Sequence, residues 1–345
     1  MFRKQLDFFQ DPHISYPTTY ASFEEYKKQC RTLIEHHRKD LISSSREKIV
    51  DANTPFELRP AAATKQGVLL IHGLLDCPFM LKDIALSLQS ELLVRSILLP
   101  GHGTVPGALL NIKKEDWIRT VKENIAQLKK EVEKIILIGF STGGTLALHH
   151  ALHDEMISGI CLIAPALKIN SHIDFASNWY QMISPFWPRA AWLNCTKEMD
   201  YTKYQSICFN SVYEVYTLAK KTLEIAETRP LHCPQWIAIP NADHTIRSKK
   251  TLDYFKTHTK EKDQCLIYAR PSFSEKNKKI TIRSTIYPEL NVKDFSHVNL
   301  PIAPDNIHYG KKGDYPENKT HPILMYNPDF DFFIQHMKEF IFSVF

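Results

Sequence analysis

The sequence predicts a doubly wound, mostly parallel α/β sheet with an inserted helical cap, and three observations carry that prediction. Apolar runs of four to eight residues recur along the chain. Amphipathic helical patterns separate them, which is the alternation of a parallel sheet covered on both faces. Eight of the eleven glycines also crowd between Gly67 and Gly144, where close turns are needed.

The elements follow in order. Ser22 with Glu25 three residues on is a capping-box start, and Phe23, Tyr26, Cys30 and Leu33 share one helical face. Val68–Ile71 is a short apolar strand ending at His72-Gly73. Leu92–Leu99 is another, ending at Pro100-Gly101-His102-Gly103. Trp117, Val121, Ile125 and Leu128 mark a helix that leads into a strand at Ile135–Ile138, and a further helix starts after Gly143. Strands at Ile160–Ile163 and Trp236–Ile239 continue the pattern.

Lys168 to Cys233 interrupts it with many large aromatics, among them Trp179, Tyr180, Phe186, Trp187, Trp192, Tyr201 and Tyr204, and reads as a mostly helical cap. Gln264 to Leu290 reads as an added hairpin. Phe330, Phe333, Ile334, Met337, Ile341 and Val344 form a core-facing helix. The implied organisation is an N-terminal helical extension over 1–45, a core from 46–167 and 234–345, and a cap over 168–233.

Composition narrows the function. An apolar fraction of 43% in 345 residues supports a large core and argues against disorder. The apolar runs are too short for membrane spans, and no secretory signal is visible. Seven scattered cysteines, never at metal-ligand spacing, read as free thiols in a reducing compartment. The expected location is therefore cytoplasmic. The net charge of +5 is uneven: Ile246 to Arg283 holds eleven Lys or Arg against four Asp or Glu. Such a stretch is usually a solvated face, with peripheral contact to an anionic membrane as the functional alternative. No nucleic-acid motif accompanies it.

The glycines explain themselves at Gly139-Phe140-Ser141-Thr142-Gly143, a Gly-x-Ser-x-Gly nucleophile elbow between four apolar β residues and a helix. Its flanking positions must be tiny, because strand and helix backbones pass close to them. A serine needs a base, an acid and oxyanion donors. His72-Gly73-Leu74-Leu75 ends the strand beside the elbow, which nominates the N–H groups of Leu74 and Thr142; His72 itself reads as a structural brace. Asp243, at the carboxyl end of the strand Trp236–Ile239, is the acid, with a helix cap as the structural alternative. His297 is the base, with His308 and His244 as rivals. It follows Asp243 by 54 residues, an interval lengthened by the extra segment between them.

On "GVLLIHGLLDCPF" (Gly67–Phe79), "LLPGHGTVP" (Leu98–Pro106), "EDW" (Glu115–Trp117), "IGFSTGG" (Ile138–Gly144) and "FSHV" (Phe295–Val298), the chain resembles the α/β-hydrolases. The branch it resembles is that of esterases, monoglyceride lipases and lysophospholipases, which also holds serine-aminopeptidase-like members. The resemblance implies that Ser141, Asp243 and His297 act as a triad on a small-molecule ester or lipid, with neither metal nor organic cofactor. The long Asp-to-His interval, the polar stretch Pro301–Pro322 and the N-terminal helix depart from the family pattern. The expected activity is carboxylic-ester hydrolysis through an acyl-enzyme. Serine aminopeptidase, amidase or acyltransferase chemistry is the alternative within the same machinery, and a non-catalytic binding protein is the alternative outside it. Oligomeric state is not legible.

Overall fold

The computed structural model describes residues 8–40, 45–169, 191–290, 292, 294–315 and 324–345. In chain order its main elements are α1 (Phe23–His37), α2 (Arg46–Asn53), β1 (Phe56–Leu58), β2 (Gln66–Ile71), α3 (Lys82–Leu88), β3 (Leu93–Ile97), α4 (Lys114–Leu128), β4 (Lys134–Phe140), α5 (Thr142–Ala151) and β5 (Ile157–Ile163). They continue with β6 (Trp192–Asn194), β7 (Ile207–Cys208), α6 (Phe209–Thr228), β8 (Gln235–Pro240), α7 (Ser248–His258), β9 (Gln264–Ala269), β10 (Ile280–Ser284) and α8 (Phe330–Val344).

Eight strands form one sheet in the order β1-β3-β2-β4-β5-β8-β9-β10. Only β1 runs antiparallel to its neighbour. The central strands are buried along nearly their whole length, because helices cover both faces. Register shows which helix lies where. Gly67 pairs with Ile135 and Gly159 with Ile136, and neighbouring strand residues point to opposite faces. Gly67 faces Leu128 and Val132 at the end of α4, whereas Gly159 faces Val344 of α8. Helices α5 and α6 join α4 on its face, and α3 joins α8 on the other. The sheet is thus doubly wound.

Three findings refine the sequence reading. The segment 264–290 is not a hairpin: β10 pairs with β9 in parallel, Ile280 opposite Cys265. The ten residues between these strands are long enough to return alongside a six-residue strand, so β10 starts at the same end as β9 and extends the main sheet. A two-residue turn, by contrast, could have joined only antiparallel strands. Helix α6, inside the stretch read as a cap, packs on α4 and α5. The short antiparallel pair β6–β7 precedes it. Of the cap aromatics, Trp179, Tyr180, Phe186 and Trp187 lie outside the described residues. Trp192 is half-buried, edge-on to Phe9 at 5.1 Å.

The N-terminal helix is tied into the core. Ser22 Oγ accepts the Glu25 N–H, and Phe23, Tyr26, Cys30 and Ile34 are buried. The Tyr26 hydroxyl donates to Leu98 O at 2.8 Å and accepts the Leu98 N–H at 3.2 Å. It therefore satisfies both backbone groups where the chain leaves β3. Tyr26→Phe should leave both unpaired and lower unfolding free energy by about 1–3 kcal/mol. An unchanged urea midpoint in that variant would contradict the role.

The basic stretch between Ile246 and Arg283 runs from α7 through β10. Several of its cations are already engaged: Lys256 with Glu275, Arg270 with Asp294 and Arg283 with Asp329. All seven cysteines are free, and only Cys195 is exposed. Among the described residues no helix is long and apolar enough to cross a membrane.

Candidate active site

Because β2, β4 and β8 run parallel, their carboxyl ends open on one edge of the sheet. Ser141 leaves β4 there and caps α5. Its backbone takes φ 54°, ψ −115°, a left-handed conformation that costs an L-residue on the order of 1–3 kcal/mol and persists only where its surroundings enforce it. The glycines around it are required by space. A Cβ on Gly139 would fall on the Gly143 carbonyl, and one on Gly143 would fall on the carbonyls of Ile71 and His72. Strand and helix backbones touch at these two positions.

Asp243 lies three residues past the end of β8, and its side chain is fully shielded from solvent. Its Oδ1 accepts the N–H groups of Thr245 at 2.7 Å and Ile246 at 3.0 Å. Oδ2 faces His297 Nδ1 at 2.6 Å. His297 Nε2 faces Ser141 Oγ at 2.9 Å. All three residues are buried, and the Phe140 ring packs on the imidazole at 5.1 Å. A carboxylate can only accept, so Nδ1 carries the proton and Nε2 offers its lone pair to the serine hydroxyl. The arrangement can therefore draw a proton from Ser141 while the buried carboxylate holds and stabilises the ring.

The rival histidines lie elsewhere. His244 is exposed. His308 is buried in a separate network, its Nδ1 2.6 Å from Asp314 Oδ1 and its Nε2 3.1 Å from Asp200 Oδ1. Tyr309 donates its hydroxyl to the other Asp200 oxygen at 2.5 Å. This network knits the polar stretch after His297 to the loop between β6 and β7.

The loop after β2 lies against the nucleophile: a side-chain carbon on Gly73 would sit 3.1 Å from Ser141 Cβ. Leu74 is the next residue along that loop, and Thr142 opens α5 beside Ser141. Two neutral histidines fix the loop. His72 Nε2 accepts the Leu99 N–H at 3.0 Å while its Nδ1–H reaches Gly73 O at 2.8 Å. His102 Nε2 accepts the Leu75 N–H at 3.1 Å. Burial holds the His72 imidazole well below its usual pKa and His102 down to about 4, so each acts as a fixed donor and acceptor. Both rings brace the two loops against each other.

Sequence reasoning passed over Asp76, a buried carboxyl on this same loop. It lies inside the stretch Gly67–Phe79 on which the family resemblance rests, but no periodicity gives it a role there; only its distance of three residues from Gly73 could have raised it. Among the described residues no group of three or more His, Cys, Asp or Glu could hold a metal ion.

Comparison with known proteins agrees with this architecture. A family model for the serine aminopeptidases, S33, matches residues 62–269, more than half of the chain. A thermostable monoacylglycerol lipase from Bacillus sp. (strain H-257) is 35% identical over 104 residues, 30% of this chain. That match spans 42% of the relative's own length. Among solved structures, the Paleococcus ferrophilus monoacylglycerol lipase superposes with a TM-score of 0.57 at 17% identity. It covers 84% of this chain and 98% of that one. A structure of the metagenome-derived lipolytic enzymes LipS and LipT gives the same TM-score and identity, over 84% and 97%. At such identities the two structural likenesses concern the fold. With the matched family model spanning both the elbow and the strand before the buried carboxylate, the chain belongs to the serine aminopeptidase, S33 family of α/β-hydrolases.

Proposed function

We propose that this protein is a serine ester hydrolase acting on acyl esters of the monoacylglycerol kind, with Ser141, His297 and Asp243 as its triad. The observation that carries the reading is the unbroken chain from Ser141 Oγ to His297 Nε2 at 2.9 Å and from His297 Nδ1 to Asp243 Oδ2 at 2.6 Å. In the first step His297 Nε2 takes the hydroxyl proton as Ser141 Oγ attacks the ester carbonyl. The N–H groups of Leu74 and Thr142 receive the oxyanion. Collapse expels the alcohol, which takes the proton from His297 and leaves an acyl-serine. Water then gives a proton to the same nitrogen as it attacks the acyl carbon; collapse breaks the bond to Ser141 Oγ, which takes that proton back from His297, and the acid leaves. The names of the Bacillus and Paleococcus relatives favour a monoacylglycerol as the substrate.

A second reading, aminoacyl or peptide cleavage by the same steps, is favoured by the family model's description as serine aminopeptidases. Fluorophosphonate labelling of Ser141 followed by parallel assay of monoacylglycerols and aminoacyl anilides separates the possibilities. Label with ester turnover supports the first reading, label with anilide turnover the second. No label would leave a binding protein on a hydrolase fold.

The sequence of the stretch 168–233 adds an expectation of acyl preference, since its aromatics suit an apolar pocket. Each buried methylene is worth about 0.8 kcal/mol, so kcat/KM should climb about fourfold per added carbon until the pocket is filled. Equal kcat/KM from acetyl to decanoyl p-nitrophenyl esters would remove the apolar pocket from the reading.

A further inference from the structure

Asp76 is a carboxyl that the triad leaves unused, yet it stands against the nucleophile. It is only 5% exposed. A single point in space locates it: a side-chain carbon on Gly73 would lie 2.5 Å from Asp76 Oδ2 and 3.1 Å from Ser141 Cβ. The carboxyl and the serine therefore flank the same glycine, on the loop whose next residue supplies one of the proposed oxyanion donors. The Asp76 N–H closes this turn on Gly73 O at 3.3 Å.

The groups that face Asp76 come from several segments. Lys203 and Asp200 approach from the loop between β6 and β7, and His297 and Tyr309 from the segment after β10. Cys77 is its chain neighbour, and the Gly73 N–H supports the carboxylate. Burial pushes the Asp76 carboxyl up to about 6, against the pull of Lys203 and His297. It is thus mainly ionised at neutral pH and neutral a pH unit or two lower.

Negative charge held this close to a developing oxyanion is unfavourable for the chemistry taken alone. If the residue only closed the turn, its backbone N–H would suffice, and a neutral side chain would avoid the repulsion. A charge in this position also acts on whatever enters beside the scissile bond. Inside a partly desolvated site a unit charge several ångströms away is felt strongly enough to decide between substrates.

We propose that Asp76 is a specificity-determining residue that reads substrate charge, favouring cationic and neutral esters over those with an anionic group near the scissile bond. It does not touch the reacting atoms; it acts through the field it adds to the site. The proposal rests on the serine-hydrolase reading of Ser141 and deepens it.

The test uses two acetate esters of equal shape, the choline ester and the uncharged 3,3-dimethylbutyl ester, and reads the ratio of their kcat/KM values at low ionic strength. Because both esters pass through the same triad, effects common to the two cancel in the ratio. In the wild type the ratio at pH 8 should exceed that at pH 5 by about tenfold, as Asp76 loses its charge. Asp76→Asn should lower the pH 8 ratio by a similar factor and remove its pH dependence, while Asp76→Glu should restore both. Should Asp76→Asn fail to fold, the wild-type pH series still decides the matter. A ratio indifferent to pH and to the Asn substitution, in protein that takes the fluorophosphonate and turns over the neutral ester, would overturn the role of Asp76 alone. Absence of label and of turnover would instead bring down the serine-hydrolase reading, and this proposal with it.

Discussion

Ser141→Ala is expected to lower kcat/KM for a short p-nitrophenyl ester by about four to six orders of magnitude while the fold persists. The change removes only Oγ. The backbone bonds that hold the elbow remain: the residue 141 N–H to Ile163 O at 2.9 Å, and its carbonyl accepting the N–H groups of Thr145 and Ala166 at 3.2 and 3.0 Å. Alanine bears the left-handed conformation at a cost similar to that of serine, so the melting temperature should barely move. His297→Ala should cost about as much, because members of a triad act as a unit. His308→Ala should lose stability instead, since it breaks the contacts with Asp200 and Asp314, but the folded fraction should still turn over ester. Near-normal rates in Ser141→Ala would sink the mechanism. A dead His308→Ala beside an active His297→Ala would move the base.

The parts of this fold that were legible in the sequence are those where local pattern and global role coincide. Strands β2, β4, β5 and β8 are buried on both faces, so each is a continuous apolar run. The elbow was legible because steric crowding at Gly139 and Gly143 leaves a spaced signature around the serine. Asp243 and His297 were reachable from chain order and strand ends. The direction of β10 was not, because an apolar run and a polar connection look the same whether the next strand runs parallel or antiparallel; only the distance spanned by the connection decides. Nor was Asp76. Its significance lies in a through-space relation to Ser141 across Gly73, and nothing in the local alternation of polar and apolar residues records such a relation. The Asp200–His308–Asp314 network was hidden for the same reason, since Asp200 lies 108 residues from His308 in the chain.

Asp243→Asn is expected to reduce kcat by about four orders of magnitude with little change in KM, through a tautomer rather than through lost packing. The wild-type carboxylate divides its work. Oδ1 accepts two backbone N–H groups, from Thr245 and Ile246, and Oδ2 accepts from His297 Nδ1. An asparagine must keep its carbonyl oxygen toward the two backbone donors, because turning the amide over would set its NH₂ against both. The amide NH₂ then points at His297 Nδ1, which has to become the acceptor. The ring proton moves to Nε2, the atom that faces Ser141 Oγ at 2.9 Å, and a nitrogen that already carries a proton cannot take the serine's. Because the amide has the size and shape of the carboxylate and still satisfies the Thr245 and Ile246 donors, the buried turn should survive. The variant should therefore melt near the wild type and bind substrate normally while reacting slowly with fluorophosphonate. Asp243→Ala would be less informative, since it leaves those two donors unpaired and mixes a stability loss of about 1–3 kcal/mol into the kinetics. If Asp243→Asn kept wild-type kcat at neutral pH, Asp243 would be a cap for the turn before α7, and the acid of the triad would have to be sought elsewhere.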